Sequence, residues 1–171
     1  YFRSTKNHNT ITINGLEQAR LKNKFEILND CKPSIFRIKQ NKTKISVQCG
    51  HNGYKRINKS IKYRRYIHMI ENPEVHVVVT DMVTSSIPLN VKCNLGSDLK
   101  WSNEENSGVF ISGGHKLIIF CKSKVEVCKK HYSRKNLELK DGSSFNWILD
   151  EKRLSSKKYI YKSRFTLLTY N

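Results

Sequence analysis

The second half of the chain is dominated by short β-strand patterns. After Asn72-Pro73, seven runs rich in β-branched and aromatic residues are separated by turn-forming residues, a pattern typical of antiparallel sheets. The glycine pair in Ser112-Gly-Gly-His115 predicts a hairpin turn. This pattern restricts the chain to folds built around a β-sheet. The predicted strands are 75–80, 87–93, 109–112, 116–121, 125–128, 144–149 and 159–168.

Two helices are predicted ahead of these strands. Residues 15–29 carry apolar side chains at helical spacing and begin at a turn-forming residue. In residues 58–70, Tyr63, Ile67 and Ile70 form an apolar stripe at i, i+4 and i+7. Helices that precede an antiparallel sheet predict an α+β fold, with a helix packed on a central antiparallel β-sheet.

The chain is predicted to be a single domain over residues 1–171. Residues 1–48 form a basic N-terminal extension with a helix and a hairpin, the hairpin strands being 34–39 and 43–48. Residues 49–128 form the core, and residues 129–171 form a basic C-terminal extension. We expect a monomer.

The charge is strongly positive, with 32 Lys and Arg against 14 Asp and Glu and a net charge of +18. Nucleic acid, anionic membrane and acidic glycans are therefore favoured over small neutral substrates. No apolar run approaches the roughly 18 residues of a membrane span. The first residue is Tyr1 rather than Met, which predicts a trimmed or secreted chain.

The five cysteines form no CxxC pair and no zinc-type cluster, so we expect no metal and no cofactor. Disulfides are the better interpretation, and the odd number leaves one thiol unpaired within the chain. Cys93 and Cys121 fall on neighbouring predicted strands and are a candidate pair.

Several segments together resemble a known family. They are Cys49-Gly-His-Asn-Gly-Tyr54, Ser86-Ile-Pro-Leu-Asn90, Gly108-Val-Phe-Ile-Ser112, Lys116-Leu-Ile-Ile-Phe-Cys121 and Val125-Glu-Val-Cys128. This order resembles the small fungal guanyl-specific ribonucleases, and more closely the secreted ribonuclease-like effectors of powdery mildew fungi. The resemblance covers residues 49–128 and implies a ribonuclease-like core there, closed by a disulfide between Cys49 and Cys128. With this pair and a pair of Cys93 and Cys121, Cys31 is the odd thiol.

The same resemblance implies a loss of catalysis. The family's first catalytic His corresponds to His76, but its Glu, Arg and second His correspond to Ser86, Gly108 and Ser123. Serine and glycine supply neither the proton transfer nor the cation that phosphodiester cleavage needs, so we expect no enzymatic activity. The alternative is an active ribonuclease or ribotoxin with a different His/Glu set. That set is His68, His76, His115 and Glu126.

A basic run predicts the binding site. Residues 55–65 hold six cations and no acid, interleaved with or flanked by tyrosines, a composition suited to phosphate contacts and base stacking. The alternative is a solvated helix face whose tyrosines pack on the sheet. The predicted RNA-binding residues are Lys55, Arg56, Lys59, Lys62, Arg64, Arg65 and His76.

The resemblance implies a secreted, catalytically inactive fungal effector that acts inside a plant host cell. Its expected partner is RNA or a ribonucleoprotein, and a host immune receptor or other host protein is a further candidate. A second alternative is a cationic module that binds an acidic protein or a heparin-like glycan through the same charge.

Overall fold

The computed structural model consists of β-strands joined by turns. It describes residues 4–23, 26–71, 74–97, 100–102, 107–112, 115–121, 124–132, 140–148 and 158–169, with side chains described up to residue 92. The strands are Ile11–Ile13 (β1), Arg20–Leu21 (β2), Ile27–Asn29 (β3), Pro33–Gln40 (β4), Lys44–His51 (β5), Lys62–Glu71 (β6), Val75–Thr84 (β7), Val91–Ser97 (β8), Lys100–Ser102 (β9), Ser107–Ser112 (β10), His115–Cys121 (β11), Lys124–Tyr132 (β12), Lys140–Ile148 (β13) and Lys158–Thr169 (β14).

The strands form two larger sheets and one small one. The larger has eight strands in the order β4-β5-β6-β7-β14-β11-β10-β9, the second has four in the order β1-β8-β13-β12, and β2 pairs with β3. Every strand pair is antiparallel. The segments before residue 49 and after residue 128 supply strands to both larger sheets.

The predicted helix over 58–70 is wrong, because most of this segment forms β6. Tyr63, Arg65 and Ile67 alternate with outward-facing residues. This alternation predicts a strand, although the i, i+4 and i+7 spacing of the same segment predicts a helix. β6 pairs along its length with β5 on one side and β7 on the other. Backbone hydrogen bonds on both edges favour the strand over an isolated helix of this length.

The predicted helix over 15–29 is also wrong. Asn14 and Gly15 both have positive φ, at 53° and 69°, and Leu16 N–H donates to the Ile13 carbonyl in a tight turn at 3.0 Å. Asn-Gly is a strong signal for such a turn, and here the turn replaces the predicted helix start. The described residues contain two 3₁₀ turns, Thr5–Asn7 and Gly53–Arg56, and no α-helix. The predicted α+β class is therefore incorrect, and the fold is mostly β-sheet.

The predicted strands fare better than the predicted helices. The hairpin of β4 and β5 is present, with a register shift between Ile35 and Arg37. Each of the seven strands expected after Pro73 overlaps an observed strand. Ser112 pairs with His115, as the predicted hairpin turn requires.

The core lies where β1 meets the inner residues of β6 and β7. Ile11, Ile13 and Val83 are completely buried, and Tyr63 is nearly so. Arg65 Nη2 on β6 donates to the carbonyl of Asn9, just before β1, at 2.8 Å. This bond links the eight-stranded sheet to the segment that enters the four-stranded sheet. The described residues contain no helix long and apolar enough to cross a membrane.

Candidate functional site

A basic cleft lies between the segment that joins β3 to β4 and the turn that follows β5. Its volume is about 710 Å³, within the range typical of ligand sites. We refer to it as the basic cleft. Its lining residues are Leu28, Asn29, Asp30, Lys32, Asn52, Gly53, Lys55, Arg56 and Lys59.

The 3₁₀ turn Gly53–Arg56 forms one wall of the basic cleft and is fixed by buried contacts. Tyr54 is almost completely buried, and its hydroxyl donates to the Ile11 carbonyl at 2.7 Å. Burial raises the pKa of Tyr54, so the phenol stays protonated. A Cβ on Gly53 would collide with the Gln18 carbonyl and crowd Cys31. Only glycine lets the turn pack this closely.

The two walls of the basic cleft are joined by a hydrogen bond. Lys32 N–H donates to Asn52 Oδ1 at 2.8 Å. Sequence reasoning missed both residues, because they lie twenty positions apart. Asn52 marks the end of β5, but nothing in the sequence shows that the turn after β5 faces the segment before β4.

The basic cleft carries four cations and one carboxylate, Asp30. Lys55 and Lys59 are exposed, and neither is ion-paired with a carboxylate of the described residues. Arg56 donates to the Glu17 carbonyl, which holds its side chain while leaving its charge uncompensated. Such an arrangement suits an anionic ligand, since solvated cations lose little when they exchange water for anionic groups.

The structure does not bring the seven predicted binding residues together. Lys55, Arg56 and Lys59 line the basic cleft. The other four lie on strands: Lys62, Arg64 and Arg65 on β6, and His76 on β7. His76 Nε2 is 3.7 Å from a carboxylate oxygen of Glu74. The single basic helix face expected from the sequence does not exist, because the helix does not exist.

Arg65 makes structural contacts and is not an exposed cation. Its Nε and Nη2 donate to the two carboxylate oxygens of Asp81 at 2.7 and 2.9 Å. Tyr63 also donates to Asp81, at 2.7 Å, and Asp81 is only 3% exposed. Burial and the Asp81 charge raise the pKa of Tyr63, so this phenol remains a donor. Arg65 therefore neutralises a buried carboxylate.

His51 lies beside the basic cleft and is a neutral residue. Its Nδ1 accepts a hydrogen bond from Gly53 N–H at 3.2 Å, and its Nε2 finds no acceptor among the described residues. Burial, aided by the nearby Arg65 charge, lowers the pKa of His51 to about 4. His51 therefore adds no positive charge to the cleft at neutral pH.

The predicted disulfide between Cys49 and Cys128 is not formed in this structure, because Cys49 is a free thiol. Cys49 lies on β5 of the eight-stranded sheet, whereas Cys128 lies on β12 of the four-stranded sheet. Cys31 is also a free thiol. Burial raises the pKa of both free thiols. The side chains of Cys93, Cys121 and Cys128 lie outside the described residues, so the second predicted pair stays a prediction.

The alternative catalytic set is only partly described. His68 lies on β6, where its Nδ1 is 2.9 Å from Ser46 Oγ, and His76 lies on β7. The side chains of His115 and Glu126 lie outside the described residues. Among the described residues, no group of three or more His, Cys, Asp or Glu is arranged to hold a metal ion.

Solved structures of known proteins share the fold of this chain. A mutant of the heparan sulfate lyase HepC from Pedobacter heparinus has a similar fold, with a TM-score of 0.73 and 12% sequence identity over 98% of this chain. A heparinase III gene product is similar over 98% of this chain, with a TM-score of 0.71 and 13% identity. The chain spans 25% of each of these proteins. No curated protein sequence matches it.

A family profile covers most of the chain. The Heparinase II/III-like, C-terminal family matches residues 1–156. This match overturns the predicted relationship to ribonuclease-like effectors, and with it the predicted RNA partner. The earlier resemblance depended on short β-rich segments and on cysteine positions, which recur in unrelated β-sheet proteins. The chain belongs to the Heparinase II/III-like, C-terminal family.

Proposed function

We propose that this chain binds an anionic polysaccharide through the basic cleft. The observation that carries the proposal is the lining of the cleft, in which Lys32, Lys55, Arg56 and Lys59 face a single carboxylate. Membership of the family supports a polysaccharide as the ligand. The structural neighbours include proteins described as heparan sulfate lyases. The proposal takes up the glycan-binding alternative from the sequence, not its RNA-binding interpretation.

The chemistry of the basic cleft fits a sulfated or carboxylated sugar chain. Lysine ammonium groups bind anionic oxygens as point charges, whereas the planar guanidinium of Arg56 can bind two oxygens at once. Asn29 and Asn52 line the same cleft, and amide groups both donate to and accept from sugar hydroxyls. The cleft therefore offers partners for the anionic and the neutral polar groups of a glycan.

The test compares charge reversal in the basic cleft with charge reversal elsewhere. The cleft variant is Lys55→Glu with Lys59→Glu, and the control is Lys22→Glu with Lys92→Glu, which removes the same net charge at exposed positions outside the cleft. Affinity for heparin oligosaccharides is measured by calorimetry at fixed salt. We expect the cleft variant to bind on the order of tenfold more weakly than the control, from surface ion pairs worth about 0.2–1 kcal/mol each. Equal affinities would show that binding reflects net charge alone, and would refute the cleft as the site.

A further inference from the structure

One face of the strands β4, β5 and β6 carries cations and an exposed aromatic ring. Residues paired directly across an antiparallel sheet share a face. Gly50 pairs with Arg64, whereas the neighbouring pairs place Cys49, Arg65 and Asp81 on the opposite face. We call the side that carries Arg64 the outward face. Its cations are Arg37, Lys39, Lys44, Lys62 and Arg64, all exposed.

The cations of the outward face follow the strands in rows. A row is a set of residues paired across β4, β5 and β6. The first row contains Arg64, and the second, two residues further along β5, contains Arg37 opposite Gln48. The third contains Lys39 opposite Ser46, and the fourth contains Lys44. Successive rows are about 7 Å apart, since each spans two residues of a strand. The four rows from Arg64 to Lys44 therefore extend over about 20 Å, and Lys62 lies one row beyond Arg64. This length suits an extended chain rather than a small molecule.

No carboxylate of β4 to β7 opposes these cations. The acidic residues of these four strands are Glu71 and Asp81. Glu71 pairs with Val75, and Asp81 pairs with Arg65, which places both acids on the face opposite Arg64. Glu74, just before β7, lies 3.7 Å from His76 in the row of Lys44. The outward face is therefore positive from Arg64 to Lys39, where its charge is complementary to a polyanion.

Phe36 gives the outward face an aromatic platform. The side chain of Phe36 lies over Gly50, because a Cβ built on Gly50 would come within 3.2 Å of Phe36 Cε2. The Arg64 guanidinium lies 5.4 Å from the centre of the same ring, within the range of a cation–π contact. Even so, Phe36 is 53% exposed. A ring that contacts Gly50 and Arg64 while it stays half exposed is orientated before any ligand arrives.

We propose that the outward face is a second glycan-binding surface, which takes an extended sulfated polysaccharide. The apolar C–H face of one sugar ring packs on Phe36 and buries apolar area there. Anionic groups along the chain contact Arg64, Arg37, Lys39 and Lys44 in turn. The choice of a glycan rests on the proposed function, but the surface shares no residue with the basic cleft.

The decisive variant is Phe36→Ala, because it removes the platform without changing the charge. Its matched control is Ile35→Ala, the adjacent residue, which is 68% exposed and pairs with Cys49 on the opposite face. The probe is a short heparin oligosaccharide, titrated into the protein by calorimetry. We expect F36A to bind about fivefold more weakly than I35A, which converts to about 1 kcal/mol.

Charge reversal tests the rows of cations. Lys39→Glu with Arg64→Glu is expected to weaken binding about tenfold relative to Lys22→Glu with Lys92→Glu, which makes the same net change. If F36A and K39E/R64E bind as their controls do while the cleft variant is weakened, the second surface is refuted and the basic cleft stands. If only the outward-face variants are weakened, the cleft proposal fails and this one stands.

A membrane control separates a glycan surface from a general anionic surface. Binding to phosphatidylserine vesicles is measured with the same variants. Weak vesicle binding by the parent chain, beside tight binding of heparin, supports the glycan. Vesicle binding as tight as heparin binding, and equally reduced by K39E/R64E, would assign the outward face to anionic lipid and overturn the proposal. Absence of heparin binding by the parent would refute the proposed function and this inference together.

Discussion

Removal of the buried carboxylate of Asp81 should destabilise the domain far more than removal of an exposed ion pair. Asp81 accepts hydrogen bonds from Arg65 at 2.7 and 2.9 Å and from Tyr63 at 2.7 Å. Its side chain is 4% exposed, and that of Arg65 is 22% exposed. Asp81→Ala therefore leaves a buried phenol without its acceptor and a half-buried guanidinium without its counter-charge.

The magnitude follows from what each partner loses. A broken buried ion pair costs about 3–5 kcal/mol, and an unsatisfied buried hydroxyl costs about 1–3 kcal/mol of that. Arg65 keeps its bond to the Asn9 carbonyl at 2.8 Å and part of its solvation, so we expect the lower end, about 3 kcal/mol. Asp81→Asn should lose less, because its amide oxygen still accepts from Tyr63.

The control is the exposed ion pair of Lys22 and Glu26. Lys22 Nζ and Glu26 Oε2 are 3.0 Å apart, and both side chains are more than half exposed. Lys22→Ala should change stability by less than about 1 kcal/mol. The free energy of unfolding is measured by urea denaturation at neutral pH. Similar losses in the free energy of unfolding for D81A and K22A would show that burial does not determine how much these ion pairs stabilise the domain, and would refute this prediction. If D81A is unfolded without urea, D81N supplies the comparison.

Two further predictions concern the core and the pH dependence of stability. Ile11→Ala should lower the free energy of unfolding by about 2–5 kcal/mol, because Ile11 is completely buried. Ile35→Ala should change it by less than about 0.5 kcal/mol. Equal losses for the two variants in urea denaturation would contradict the assignment of Ile11 to the core. The pKa of His51 is lowered to about 4 in the folded chain, against about 6.5 unfolded, so the unfolded chain binds the proton first. Stability should therefore fall as the pH drops from 6.5 to 4, by roughly 3 kcal/mol from this residue; a His51→Phe variant with an unchanged pH profile would contradict this.

The sequence predicts the strands better than it predicts the helices. Strand patterns after Pro73 are dense in β-branched residues and have no helical competitor, so each predicted strand overlaps an observed one, although 87–93 meets β8 only at its end. In the segment 58–70, Tyr63 and Ile67 satisfy both the helical spacing and the alternation of a strand. Local spacing cannot separate the two. The partners β5 and β7 decide the outcome, and these contacts are not local.

The candidate site could be predicted only in part. Lys55, Arg56 and Lys59 stand out as a basic run, and they do line the basic cleft. Lys32 contributes to the same lining only because the segment before β4 folds against the turn after β5, joined through Asn52. No periodicity encodes such a contact. Charge density thus identified one wall of the cleft and missed the other.

The adjacent arginines Arg64 and Arg65 show why a basic run does not define a binding surface. Neighbouring residues on a strand point to opposite faces, so Arg64 is exposed beside Phe36 while Arg65 neutralises the buried Asp81. Replacement of Arg65 would leave Asp81 as an unpaired buried charge and lower stability, and the resulting unfolding would also reduce binding. Replacement of Arg64 leaves the core intact. Hence only binding measured per folded molecule, with stability determined alongside, separates the ligand-binding arginine from the structural one.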